Sequence, residues 1–298
     1  MTATMRSRSA ATVVELMDAD PRVSVVLAEI SVERFEEALR RHPDRAVNVG
    51  IMEQTMIGVA AGMALEGQLP VAHSIAPFLV ERSLEQIKLD LGNQELGAIL
   101  IGTGGSYDYS TEGTTHHSPG DVQVLLSVPG IAVHVPGHAD EADVLLRHAH
   151  RTGGLTYLRT SAAENAAPRP IDPGRLLRVR TGRRGTVVAV GPMLDRTLQA
   201  VHEIDVTVLY ATTVAPLDAA GLAAAAADAA EVISVEPFHE GTLAGPLAAA
   251  LAGRPRRFLH IGAPRRVLRD YGSVNDLDRA AGLDAGSIRS RISEFLRG

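Results

Sequence analysis

Apolar positions along the chain fall into two alternating patterns. Short runs rich in β-branched residues, at Val23 to Leu27, Ala98 to Gly102, Ile131 to Val135 and Leu155 to Leu158, predict buried strands. Helical patterns such as Ser83 to Leu91 and Ala139 to His150 separate them. Strands alternating with helices predict a parallel sheet with helices on both faces. The pattern breaks after Ser161 into Ala166-Ala-Pro-Arg-Pro-Ile-Asp-Pro-Gly174, whose three prolines cannot sit inside a regular element. A second α/β pattern follows, with a strand and turn at Thr186 to Gly191, strands at Val206 to Tyr210 and Glu231 to Glu236, and an Ala-rich helix at Ala219 to Ala230. The expected fold is therefore α/β in two domains, residues 1–165 and a smaller 186–298, joined by a linker at 166–185.

Composition narrows the function classes. The 298 residues are 45% hydrophobic, include no cysteine, and hold no apolar run of eighteen that could span a bilayer. The first ten residues lack the apolar stretch of a secretory leader, so a cytoplasmic protein is expected. Net charge is −6 and the basic residues are scattered, which argues against a nucleic-acid or anionic-membrane footprint.

The chemistry gathers around one carboxylate. In Asn48-Val-Gly-Ile-Met-Glu-Gln54 a strand-like segment ends at Gly50, and a helix rich in small residues runs from Met52 through Gly58, Ala60, Ala61, Gly62 and Ala64. Glu53 thus falls near a helix start, where a carboxylate complements the helix dipole. Ile51, Met52 and Met56 make the neighbourhood apolar, a setting in which a carboxyl group keeps its proton and can donate it. Two more segments carry reactive types: Ala76-Pro-Phe78-Leu-Val-Glu-Arg82-Ser-Leu-Glu85-Gln86, and the Gly-punctuated Glu112-Gly-Thr-Thr-His116 after the strand Ile99 to Ile101.

Together these segments resemble the pyrimidine-binding domain of the transketolase family of thiamine diphosphate enzymes, and residues beyond 186 resemble that family's C-terminal domain. The resemblance implies that Glu53 hydrogen-bonds the cofactor's pyrimidine nitrogen, that Phe78 stacks on the aminopyrimidine with Arg82 nearby, and that His116 meets the substrate as acid/base or hydrogen-bond donor. It also implies substrate contacts for Glu112, His117 and Arg159, the last matching the family's phosphate-binding Arg. Glu236 and His239 are expected to be structural.

Two departures bear on substrate. Gly104 stands where ordinary transketolases carry a phosphate-holding His, and Glu112 replaces an Asp, lengthening its reach by about 1.5 Å. An atypical sugar-type substrate is expected. The Gly-Asp-Gly motif that anchors Mg²⁺ and the diphosphate in this family does not occur in the chain. The resemblance therefore implies an N-terminal, diphosphate-binding partner subunit that supplies the Mg²⁺ shell, no metal ligand from this chain, and an α₂β₂ assembly with Gly58, Ala61, Gly62 and Leu65 at a close-packed interface. The leading expectation is a split transketolase moving a two-carbon ketol unit. The alternatives are the β subunit of a 2-oxo acid or acetoin dehydrogenase, and a noncatalytic assembly subunit.

Overall fold

Continuous apolar strands bury both faces, as a parallel sheet between helical layers requires. In the computed structural model, which describes residues 4–269 and 271–298, the first half of the chain forms β1 (Val23–Leu27), β2 (Ala46–Asn48), β3 (Leu69–Ile75), β4 (Ala98–Thr103), β5 (Ala132–His134) and β6 (Leu155–Arg159). The second half adds β7 (Leu177–Arg180), β8 (Thr186–Val190), β9 (Thr207–Ala211), β10 (Thr213–Ala215), β11 (Glu231–His239) and β12 (Arg257–Ala263). They make two sheets, ordered β10-β5-β6-β4-β3-β1-β2 and β12-β11-β8-β9-β7. Each is parallel apart from one edge strand, β10 against β5 and β7 against β9.

Helices α1 (Met5–Ala19), α2 (Glu36–Arg41), α3 (Glu53–Leu65), α4 (Leu84–Gln86), α5 (Asp121–Leu125) and α6 (Ala139–Thr152) surround the first sheet. Around the second lie α7 (Leu194–Ala200), α8 (Ala219–Ala225), α9 (Ala244–Ala250), α10 (Val274–Ala281) and α11 (Ala285–Phe295). On one face of the first sheet, α1 and α6 share a cluster that includes Val13, Leu16, Leu145 and Leu146. On the other, a single cluster runs from Met56, Ala60 and Leu79 through Val122 and Leu125 to Val188, Val190 and Leu209. The two halves thus share a core. Among the described residues no helix is long and apolar enough to cross a membrane.

The two sheets match the expected pair of α/β units, and a strand falls within the range expected as linker. Residues 177–180 form β7, whose partner is β9, and β10 leaves the second half to extend the first sheet. The prolines end at Pro173, after which nothing prevents Leu177-Arg-Val-Arg180 from forming a half-buried edge strand. The Ala-rich helix is also shorter than expected, ending at Ala225. Strand β3 was hidden by Pro70. The Leu69 amide donates to Arg22 of the β1 side, and the ladder to β4 begins only at Val71 and Ile99, so the amide missing at Pro70 interrupts neither pairing.

Glu236 on β11 is fully buried. Burial pushes its carboxyl up from about 4.5 to about 7, although the Ser234 hydroxyl and the Leu243 amide donate to it. The folded chain therefore keeps a proton that the unfolded chain releases, so stability falls as pH rises from about 4.5 to about 7 and levels off above that. Replacing Glu236 with Gln should remove a loss on the order of 3 kcal/mol in unfolding free energy between pH 5 and 8, read from urea midpoints. Parallel pH profiles for the two proteins would contradict this assignment.

Candidate active site

Loops at the carboxyl ends of β1 to β4 build the site, the edge where parallel sheets bind ligands. After β2 the chain reverses through Gly50, whose φ of +73° suits glycine. Asn48 fixes the turn: its side-chain oxygen accepts from the amides of Gly50 and Glu29, and its amide nitrogen donates to the Glu29 carboxylate. Helix α3 then opens on Glu53, which is 1% exposed. Arg82 donates to Glu53 Oε2 at 2.6 Å, and Ser74 at the end of β3 lies 3.5 Å from Oε1. Residues Pro77–Glu81 wind as a π-helical turn, which sets Phe78 and Arg82 side by side. The guanidinium carbon of Arg82 lies 4.2 Å from the centre of the Phe78 ring. Glu53, Arg82 and Phe78 thus form one line, with Arg82 still 38% exposed.

This geometry revises the expected surroundings of Glu53. Ile51 and Met52 point outward, 71% and 54% exposed, and only Met56 is buried beneath it. A cation rather than an apolar cushion meets the carboxylate. Neighbours in sequence do not reveal this partner, because Arg82 arrives from 29 positions away.

The loop after β4 supplies the second side. The His116 ring sits edge-on to Phe78 at 5.1 Å and tilted against Tyr109 at 5.9 Å. Its Nδ1 pairs with the Thr115 hydroxyl at 3.0 Å. Tyr109 explains Gly104: a Cβ there would stand 2.1 Å from the tyrosine ring, and φ is +72°. The ring occupies the space that a longer side chain at 104 would need.

The remaining candidates separate. Glu112 is exposed near His116, its backbone carbonyl accepting from Thr115. His117 turns to the other side of the loop, edge-on to Tyr107 at 6.4 Å, and burial pulls its imidazole below the usual range. Arg159 does not join the line. It is 1% exposed, donates to Asp121 at 2.8 Å and to Ser106 at 2.8 Å, and so braces the loop from inside. Its charge is met within the chain by Asp121. Tyr109 and Glu29 were missed by the sequence reading. Tyr109 had one signal, its place in Gly104-Gly-Ser-Tyr-Asp-Tyr109, in a chain with five tyrosines. Glu29, at φ +66° beyond β1, had none.

Residues 1–166 match the transketolase pyrimidine binding domain, and residues 174–288 match the transketolase C-terminal domain. The chain is 44% identical over 283 residues to an uncharacterized 33.6 kDa protein of the fasciation locus of Rhodococcoides fascians, covering 94% of this chain and 91% of that protein. It is 31% identical over 284 residues to one of the subunits of the apulose-4-phosphate transketolase of Actinobacillus succinogenes, covering 89% of each. A 1-deoxy-D-xylulose-5-phosphate synthase of Chlorobium luteolum is 32% identical over 307 residues, but the chain spans only 47% of it. In fold, a solved structure described as a split gene transketolase, an inactive β4 tetramer, superposes with a TM-score of 0.87 at 23% identity, covering 100% of this chain and 99% of that one.

If Arg82 is the counter-charge to Glu53, Arg82→Met should lower the unfolding free energy by about 2 kcal/mol, because a buried carboxylate loses its partner. The double variant Glu53→Gln/Arg82→Met should recover most of that loss in urea unfolding. Simply additive losses would show that the two side chains act independently.

Proposed function

The chain belongs to the transketolase family, and from that premise we propose that it is the pyrimidine-binding subunit of a split, thiamine diphosphate-dependent transketolase. One observation carries the reading: a planar cation, Arg82, already lies against Phe78 while donating to Glu53. Those are the two contacts an aminopyrimidine asks for, stacking on its face and a carboxyl at its ring nitrogen, so the residues fit the cofactor. Thiamine diphosphate supplies, when bound, a nucleophilic carbon that takes a two-carbon ketol unit from a ketose and gives it to an aldehyde.

This chain's share is binding and proton placement. Glu53 would hold a proton at the pyrimidine nitrogen, and Phe78 would fix the ring plane with Arg82 at its edge. His116 would donate to the substrate oxygen that gains charge. Glu112 and His117 remain proposed substrate contacts. Arg159 would contribute by bracing the loop unless partner binding releases it from Asp121. Mg²⁺ and the diphosphate fall to an N-terminal partner subunit, because this chain lacks the Gly-Asp-Gly motif. Exposed groups on and around α3 suit such a partner: Ile51, Met52, Leu65 and Leu89 are between 46% and 71% exposed, and Gly58 and Gly62 are exposed on the helix. Ala61, expected there, is 4% exposed and packs inward. We assign an α₂β₂ assembly acting in the cytoplasm. The Gly104–Tyr109 packing and the longer Glu112 support a substrate other than ordinary pentose and triose phosphates; equal or better turnover of those sugars would count against it.

Reconstituted with a diphosphate-binding partner, the wild-type chain should support ketol transfer, and Glu53→Gln should lower kcat by about a hundredfold or more. Activity that depends on a lipoyl acceptor would instead select the dehydrogenase β subunit. Undiminished activity in the variant would select a noncatalytic assembly role.

A further inference from the structure

Apart from the line joining Glu53 to His116, a cavity of about 410 Å³ opens at the seam between the two sheets. Its polar lining is Tyr107, Thr114, His117, His239, Arg265 and Arg266, and among the described residues no Asp or Glu lines it. Consecutive histidines serve opposite sides of one loop, His116 against Phe78 and His117 against Tyr107. His117 is 8% exposed, yet its Nε2 is buried without a hydrogen-bond partner among the described residues. An orphaned ring nitrogen of this kind is costly unless something fills the cavity.

The charges agree. Arg265 bonds only neutral oxygens, the Gln123 side chain and the Glu240 carbonyl, and Arg266 bonds the Ala280 carbonyl. Among the described residues neither guanidinium lies within ion-pair distance of a carboxylate. The nearby Glu81 carboxylate is engaged by the Ser118 hydroxyl. Two guanidiniums, a hydroxyl and two imidazoles suit a group with several acceptor oxygens and double negative charge, while the Tyr107 phenol already donates to Asp278 and only shapes the wall. Pro264, Val267 and Leu268 add an apolar wall for a short carbon chain. The volume suits a small organic molecule.

We propose that this seam cavity binds the phosphoryl end of a small phosphate monoester, with Arg265 and Arg266 as the cationic side and His117 beneath. Nothing in this assignment requires the cofactor or the partner. The phosphoryl group belongs either to the tail of a reacting sugar or to a separate ligand that bears on His116 through the shared loop.

Glycerol 3-phosphate titrated into the full chain, followed by histidine side-chain NMR, tests the site. Saturable shifts at His117 and His239 are expected, with affinity lower by about tenfold or more in Arg265→Gln/Arg266→Gln. A second variant, Thr114→Leu, narrows the cavity without altering charge and should weaken binding too. No shift at either ring in the folded chain, or wild-type affinity in both variants, would overturn the proposal. Competition with the aldehyde acceptor in the partner-reconstituted enzyme would identify the sugar's own phosphate, and binding alongside the acceptor would identify a separate ligand.

Discussion

The site depends on balancing one buried charge. Glu53 opens a thirteen-residue helix and is almost wholly enclosed, so the positive end of α3 and the Arg82 guanidinium must together compensate it. That requirement ties three pieces of chain: the turn held by Asn48, the end of β3 at Ser74, and the π-helical turn that brings Arg82 back over Phe78. Because Arg82 remains 38% exposed, its pairing with Glu53 is open to exchange where a fully buried pair would not be. A planar ligand can therefore meet Phe78 and Glu53 without dismantling the core.

Rigidity comes from elsewhere. The loop carrying both histidines is braced by the buried Arg159–Asp121 pair, by Tyr157 donating to Asp121, and by Tyr107 donating to Asp278 of the second half. The second half thus acts as a wall for the reactive loop, and the continuous core joining the halves makes that wall firm. This arrangement also creates the seam cavity: residues 263–268 close over His117 while His116 remains open to the first sheet's edge.

Much of this was legible in the sequence, and the exceptions have physical causes. Strands such as Val23–Leu27 and Leu155–Arg159 announce themselves because a doubly covered sheet demands unbroken apolar runs. Glu53, Phe78 and His116 were legible as a resemblance, and the fold brings all three to one edge. What escaped were relations between distant residues. Pro70 disguised β3 because no local rule tells which side of a strand lacks a partner at its first residues. Neither the Arg82–Glu53 pair nor the burial of Arg159 could be read from spacing, since each charge is balanced across tens of residues. Gly104 read as a lost contact, and its packing reason, the Tyr109 ring, emerges only in three dimensions.

The central claim is that this chain holds half of a cofactor site. Calorimetric titration of thiamine diphosphate with Mg²⁺ into the chain alone, into the chain with a diphosphate-binding partner, and into that complex carrying Glu53→Ala tests it most directly. Binding only in the presence of the partner, and weakened by the substitution, is the result this account predicts. Tight binding by the isolated chain, or none in the complex, would contradict it.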